Sequence, residues 1–462
     1  MITKLYAKSP VFIQNILISL YGYYWKNRRY GGCFNQKLIE FKTHEQFTKD
    51  QWIEYQTKQL RKLLVHAFTT VPYYKNSYEK LGFSLQDFEQ FNLTDLHKLP
   101  YLEKDDLRKY GTTSLLSNTR KRGKFYSSSG STGTPVKIYF SKEFHQTWSA
   151  LYEARVRNWA NVNYKQPRAM IGGRRVIPSS IMKPPYYRYN FAESQAYFSA
   201  YHISNTTASD YIEGLKKSKV VYLVGYAMSI YLLAQSIENQ HLKAPKLKAV
   251  LTSSEKLTQN MRRVIEHVFQ CRVFDAYSGV EACGLISENS ENELLFSPDS
   301  GVMEVLNTDG KPVNYGEMGE VIATGLLNYD QPLIRYRIGD TVRISKNQQT
   351  RSGHKMLKLE EIEGRAEDII EGSGGQKIVR FHSIFIDIKS IIMAQVIQNS
   401  YTQLAIKLVV DNSYEKAKSE KIMLERIKSQ LGEIAIEFLY VNNIAKTANG
   451  KYKAVISNID NE

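Results

Sequence analysis

Cysteine is scarce in this chain: Cys33, Cys271 and Cys283 are three residues among 462, far apart. So few, so dispersed, they exclude a disulfide framework and a structural zinc site, and they fit a reducing cytosol. Internal repeats are missing too, which sets aside solenoids and propellers. There is no GxxxxGK[ST] run, hence no Walker A loop, and no GxSxG, HExxH or kinase HRD signature. Long runs of one charge are absent. Lys and Arg outnumber Asp and Glu by 62 to 46, a net charge of +16, but the excess is scattered, with short clusters such as Lys26–Arg29 and Arg120–Lys124. Such a balance favours anionic partners, or is a solvated surface tuned for solubility. Without zinc-finger spacing or a stacking pattern among the tyrosines, nucleic acid is not an expected partner.

A long apolar run is also wanting. Val11–Trp25 is rich in Ile, Leu, Phe and Tyr, yet it is short for a membrane span and carries Gln14 and Asn15. It lacks the small-residue cleavage pattern of a signal peptide. The expected location is therefore cytoplasmic. The first reading of this stretch is a helix packed on its own domain. The second is an amphipathic helix making peripheral contact with the inner membrane face through residues 11–29, helped by Lys26, Arg28 and Arg29.

What is present is an ordinary globular composition, 42% hydrophobic and 23% charged, in a chain long enough for two or three domains. Trp52, Leu60, Leu63 and Leu64 predict a helix over 51–66, within a mostly helical start over residues 1–100. Lys219–Gly225 and Leu247–Thr252 predict buried strands, each followed by a helix, at Ala227–Asn239 and Leu257–Phe269. This alternation predicts βαβ units and a mainly parallel sheet. Near Gly364 the character changes. GSGGQ at 372–376 precedes a compact βαβ-like sequence, with strands at Leu404–Val410 and Ile434–Val441 around a helix at Glu415–Leu431. The boundary is expected between Gly364 and Asp368, giving a large domain over 1–365 and a small one over 366–462.

The densest run of small hydroxylated residues and glycines is Ser127-Ser128-Ser129-Gly130-Ser131-Thr132-Gly133-Thr134-Pro135. Glycines let backbone N–H groups turn toward a phosphate, hydroxyls add donors, and Lys137 adds positive charge. A flexible polar loop has the same composition, so the run alone leaves both readings open.

Five further motifs follow in order: Thr252-Ser253-Ser254-Glu255, Asp275-Ala276-Tyr277-Ser278-Gly279-Val280-Glu281, Leu333-Ile334-Arg335-Tyr336-Arg337-Ile338-Gly339-Asp340, Gly364-Arg365-Ala366-Glu367-Asp368 and Lys446-Thr447-Ala448-Asn449-Gly450-Lys451. Together with the loop they resemble the motif set of the adenylate-forming (acyl-CoA synthetase) superfamily. Within it, Tyr201-His202-Ile203-Ser204, Val224–Ala234 and the VPYYK stretch ending at Lys75 are similar to the phenylacetate–CoA ligase family, in its CapK-like capsular-polysaccharide branch. The resemblance implies a large multi-layered α/β domain with mixed sheets, and a small mobile α+β C-terminal domain.

It also implies a chemistry: a carboxylate attacks the α-phosphorus of ATP, pyrophosphate leaves, and the acyl group passes to coenzyme A or to an amine of a sugar or amino acid. Ser128, Ser129, Gly130, Ser131, Thr132, Gly133 and Thr134, with Lys137, would cradle phosphates. Ser254 and Glu255 would line the adenine pocket, Asp275 would accept the adenine amino group, Tyr277 would stack on the base, and Ser278 would lie beside the nucleotide. Asp340 would bind the ribose hydroxyls and Glu281 would hold Mg²⁺. Arg365 would approach the ribose and phosphate, Glu367 would be the hinge, and Lys451 the mobile catalytic cation. Tyr226 and His202 would shape the acid pocket, although His202 reads equally as an ordinary buried histidine. Arg335 and Arg337 read alternatively as builders of the domain interface. Three departures from the superfamily pattern stand out: Thr134 replaces a lysine, Val280 a hydroxyl residue, and Ser278-Gly279 invert the usual order. A nucleotide-binding module without catalysis is the reading from another class.

Overall fold

The computed structural model describes Tyr6 and residues 9–127, 135–174, 176–177, 183–255, 257–363, 370–378, 381–385, 388, 390–442, 444 and 455–459. The expected boundary at 364–368 lies outside them.

The N-terminal part is helical: α1 Val11–Tyr30, α2 Phe34–His44, α3 Lys49–Thr70, α4 Pro72–Lys80, α5 Leu85–Glu89 and α6 Lys104–Tyr110. Thr48 caps α3, its hydroxyl accepting from the Gln51 N–H at 3.2 Å while Gln51 Oε1 accepts the Thr48 N–H at 2.8 Å. The helix runs to Thr70, past the expected end, because Pro72 opens α4 at a position that needs no N–H.

A hairpin, β1 Gly123–Ser127 and β2 Lys137–Ser141, leads into α7 Lys142–Tyr152 and a π-turn over Glu153–Arg157. There follow β3 Arg168–Gly172, β4 Tyr187–Asn190, β5 Gln195–Ser199, α8 Ala208–Lys217, β6 Tyr222–Tyr226, α9 Ala227–Asn239, β7 Ala249–Ser253, α10 Gln259–Phe269 and β8 Arg272–Tyr277. The chain continues as a meander: β9 Ile286–Glu288, β10 Leu294–Phe296, β11 Gly301–Leu306, β12 Met318–Gly325, β13 Tyr336–Ile344 and β14 Lys358–Glu363.

Among the described residues twelve of these strands form one sheet, in the order β11-β12-β13-β14-β10-β9-β8-β7-β6-β3-β5-β4. Strands β5, β3, β6, β7 and β8 are parallel, as the βαβ alternation requires. The expectation of a mainly parallel sheet is corrected, however: β4 and the whole run from β9 to β14 pair antiparallel. Strands β9 and β10 have three residues each, too short to show a period.

The parallel half is buried on both faces. Along β7, Val250 joins a core with α8, α9 and α10, while Ala249 and Leu251 join one with α2, α7 and the π-turn. That two-sided burial explains why these strands read as continuous apolar runs. Residues 370–457 build a different sheet, in the order β19-β18-β17-β20, from β17 Ile391–Ser400, β18 Gln403–Val410, β19 Ala435–Tyr440 and β20 Val455–Ser457. A two-strand ladder, β15 Ile370–Glu371 and β16 Lys377–Ile378, lies beside it. Helix α11 Lys416–Leu431 joins β18 to its parallel neighbour β19, and its Met423, Ile427 and Leu431 fill a core with Leu404, Ile406 and Leu408.

Candidate active site

The register of the parallel strands sets the site. Tyr226 pairs with Ser253, and Ser253 with Ala276, so the C-terminal ends of β6, β7 and β8 finish level. At about 4.8 Å between strands, Tyr226, Ser254 and Tyr277 fall along one rim. In open α/β sheets this carboxyl edge is where ligands bind. Ser254, just past β7, holds φ at +74° without being a glycine. A residue so placed costs about 1–3 kcal/mol, and such positions cluster at functional sites.

From the antiparallel half, β13 brings Asp340 to the same rim. The Tyr277 hydroxyl donates to Asp340 Oδ2 at 2.6 Å, joining two of the expected nucleotide residues across 63 positions of sequence. Burial and the Asp340 carboxylate hold the Tyr277 phenol far above its ordinary pKa, so the hydroxyl stays a donor. One strand turn earlier, Asp275 is held by Thr252, whose Oγ1 donates to Oδ1 at 2.9 Å. Burial pushes the Asp275 carboxyl up to about 6; the Thr252 bond opposes this and Glu288 adds to it. Glu288 in turn accepts the Asp275 N–H at 3.0 Å and pairs with Arg262 of α10 at 2.8 Å.

Glu281 is half-buried and accepts from the Tyr336 hydroxyl at 3.4 Å. A hard carboxylate oxygen of this kind suits Mg²⁺, an ion bound through one or two carboxylates plus phosphate and water. Among the described residues no three of His, Cys, Asp and Glu come together, so a dedicated protein cage for a metal is not what Glu281 belongs to.

The hairpin that carries the phosphate-loop candidate closes at Ser127 opposite Lys137, and Lys137 is exposed. Its seat escaped the sequence reading. Gln331, fully buried, accepts the Tyr139 N–H at 2.6 Å and donates to the Gly111 carbonyl at 2.7 Å, while Asn328 Nδ2 donates to the Tyr139 carbonyl at 3.1 Å. Asp330 accepts the Lys121 N–H at 2.7 Å. The segment that leads into Asp340 therefore also docks the hairpin. The only sequence signal was its adjacency to the Leu333–Asp340 motif.

On the other flank, the Tyr226 ring covers the end of β3, where a Cβ on Gly173 would stand 3.0 Å from its hydroxyl. His202 is buried, stacked on Tyr186 at 5.2 Å, with Nδ1 at 2.7 Å from Ser199 Oγ. Ser199 ends β5 in register with Gly172 of β3, so His202 and Tyr226 share this flank. Glu255 and Ser278 are both half-buried, each following a rim strand.

Arg335 and Arg337 make their described contacts within the large unit, not across a domain interface. Arg335 grips Glu304 through two bonds of 2.9 and 2.8 Å, donates to the Leu99 carbonyl at 2.6 Å, and lies 4.4 Å from the Tyr101 ring centre. Arg337 pairs with Glu103 at 2.7 Å and Glu320 at 3.3 Å. They tie segment 99–103 to β13. Ser128–Thr134, Arg365, Glu367 and Lys451 lie outside the described residues.

The fold is that of 2-hydroxyisobutyryl-CoA ligase, whose crystal structure in the postadenylation state with R3-HIB-AMP superposes with a TM-score of 0.57 over 90% of this chain and 91% of that one, at 17% identity. The structure of the same ligase with 2-HIB-AMP and CoA in the thioesterification state matches equally, at 0.57. The phenylacetate-coenzyme A ligase of Escherichia coli strain K12 is 25% identical, across 68% of this chain and 71% of that protein. Both likenesses are to coenzyme A ligases.

Similarity to Protein CapK of Staphylococcus aureus runs nearly end to end, at 26% identity over 99% of this chain and all of that one. Residues 370–458 match the family model of the CapK C-terminal domain. The likenesses thus run to CapK along nearly the whole chain and to a phenylacetate-coenzyme A ligase along about two thirds of it.

Proposed function

We propose that this protein joins a carboxylic acid to the AMP of ATP and passes the acyl group to the thiol of coenzyme A, as a step in surface-polysaccharide assembly. The hydrogen bond between Tyr277 and Asp340 supports the reading most, because it unites two nucleotide motifs at the carboxyl rim of the parallel sheet. In this reading Asp340, aimed by Tyr277, accepts the two ribose hydroxyls. The Tyr277 ring stacks on adenine while Ser254, Glu255 and Ser278 border the base, and Asp275 accepts the adenine amino group. The hairpin loop Ser128–Thr134 and Lys137 cradle the β- and γ-phosphates.

The substrate carboxylate oxygen then attacks the α-phosphorus, and the bond to the bridging oxygen of pyrophosphate breaks. Both reactants are anions, so positioning and charge neutralisation supply most of the catalysis. Lys451 and Arg365 bring positive charge to that centre. Bound at Glu281, Mg²⁺ would neutralise phosphate charge. In the second step the thiol sulfur attacks the acyl carbonyl, AMP leaves, and the thiol proton passes to solvent. The acid lies against Tyr226 and His202. We take residues 1–365 and 366–462 as two domains, with Glu367 as hinge; moving the small one would exchange Lys451 for a path to the acceptor. The CapK likeness and coenzyme A seen with the hydroxyisobutyryl ligase are what support the pathway and the acceptor.

The test is pyrophosphate release from ATP with uronic, hydroxy, amino and aromatic acids, followed by addition of coenzyme A or aminosugars to the responding acid. Release with one class, then a thioester, is the expected result. An amide in place of a thioester would move the acceptor to an amine, and silence across the whole panel would leave a nucleotide-binding module.

A further inference from the structure

Helix α1 is amphipathic the wrong way round. Its inner face meets the protein through polar groups. Gln14 accepts from Arg188, Asn15 Oδ1 accepts the Tyr189 N–H at 2.9 Å, and Ser19 Oγ accepts the Phe191 N–H at 2.9 Å. Gly22 lies against Asn190 so closely that a Cβ there would stand 2.2 Å from its side chain. Lys26 donates to the Ala192 carbonyl at 2.9 Å, and Arg29 pairs with Glu193.

Its outer face is apolar. Phe12, Ile16, Leu17 and Leu20, then Tyr21, Tyr23 and Tyr24, all fall on the opposite side at about 3.6 residues per turn. They are open to solvent, Leu20 at 67% and Phe12 at 64%. Phe191, 66% exposed and tied to Ser19, adds a ring alongside. A contiguous apolar face of this size marks an interaction surface.

We propose that this face docks the protein on an anionic lipid surface, with α1 lying in the interface plane. The composition of the face supports it: aliphatic side chains lie beside the exposed tyrosines Tyr21, Tyr23 and Tyr24, whose rings favour the headgroup level. Charge supports it as well. The first acidic residue of the chain is Glu40, and none occurs between Asp106 and Glu143. These two acid-free stretches meet where Lys124 of β1 sits 4.9 Å from the Tyr24 ring centre, beside exposed Arg122 and Lys26. Each cation near an anionic leaflet adds attraction. A second copy of this chain fits less well, because a two-fold pairing would set the same basic rim against itself. No described helix is long and apolar enough to cross a membrane, so the contact lies on the surface. The polar face that such helices usually turn to water is here turned to the protein.

Sedimentation of the full chain with vesicles tests this, using phosphatidylcholine alone and equal parts phosphatidylcholine and phosphatidylglycerol. The chain should pellet with the anionic vesicles, stay largely soluble with the neutral ones, and be released as salt rises. The double change Leu17→Gln and Leu20→Gln should weaken anionic-vesicle binding by about tenfold or more while the thermal melt stays unchanged. Lys124→Glu should weaken it with the apolar face intact. Failure to pellet with either vesicle overturns the proposal, as does a double variant that pellets like the parent. So does a dimer in gel filtration that the double variant splits, which would give the face to a second copy.

Discussion

At the scale of single residues, the Tyr277 hydroxyl is what holds the Asp340 carboxylate in place. A hydrogen bond to a charged group is worth about 1.5–3 kcal/mol. Tyr277→Phe should therefore weaken ATP binding by about tenfold, measured by calorimetric titration, and Asp340→Ala by more. Equal binding by parent and Asp340→Ala would remove the ribose role. Asp275 carries a second prediction. Its carboxyl titrates near 6 in the folded chain against an ordinary 3.8. Folded protein keeps the proton where unfolded protein has lost it, so this group's stabilisation is full below about pH 4 and lost as pH rises through about 6, amounting to about 2–3 kcal/mol. Asp275→Asn cannot ionise. It should melt with the parent near pH 4 and above the parent near pH 8; parallel melts at both would show that burial does not raise this pKa. The residues of the rim were legible in sequence because each belongs to a short motif: Ser254 to Thr252–Glu255, Tyr277 to Asp275–Glu281 and Asp340 to Leu333–Asp340. Gln331 and Asn328 were not. A lone amide carries no pattern, and only the fold reveals that Tyr139 is its partner.

At the scale of elements, α2, the π-turn and the loop before β11 are pinned by one buried ion network. Arg155, fully buried, donates to Glu45 at 2.7 Å, to Asp299 at 2.6 Å and to the Phe41 carbonyl at 2.8 Å, and His44 Nδ1 lies 2.6 Å from the second Asp299 oxygen. Removing the guanidinium strands a buried carboxylate, a loss of about 3–5 kcal/mol. Arg155→Ala should lower the urea midpoint accordingly, and Arg155→Lys should recover only part, since an ammonium lacks the planar fork that reaches all three partners. A midpoint unchanged in Arg155→Ala would mean that the network adds nothing to stability. Elements with a strong period were legible: α9, α10 and α11 lie within two residues of their expected ends. Helix α1 was legible as a helix on its own domain, but not in its orientation. Periodicity finds an apolar stripe without saying that Gln14, Asn15 and Ser19 are the side that packs. The meander from β9 to β14 gave no expectation, because its pairing rests on contacts far apart in sequence.

At the scale of the whole molecule, the large sheet and the sheet of residues 370–457 have separate hydrophobic cores, and among the described residues no buried residue of one core cluster belongs to the other. On the two-domain proposal each core supports its own cooperative unit, so two-state behaviour should fail for the chain as a whole. Calorimetry should resolve two transitions. Ile406, fully buried in the central strand β18, belongs to the smaller core. Ile406→Ala leaves a cavity there, a loss of about 2–5 kcal/mol, and should lower only the transition of smaller enthalpy. ATP should raise the larger transition by mass action, because the rim built by β7, β8 and β13 lies wholly in the large sheet. Asp340→Ala should cancel that rise without moving the smaller transition. A single transition that shifts as a whole in Ile406→Ala would mean that the two sheets unfold as one unit, and the nucleotide site could then no longer be treated as a property of the large sheet alone.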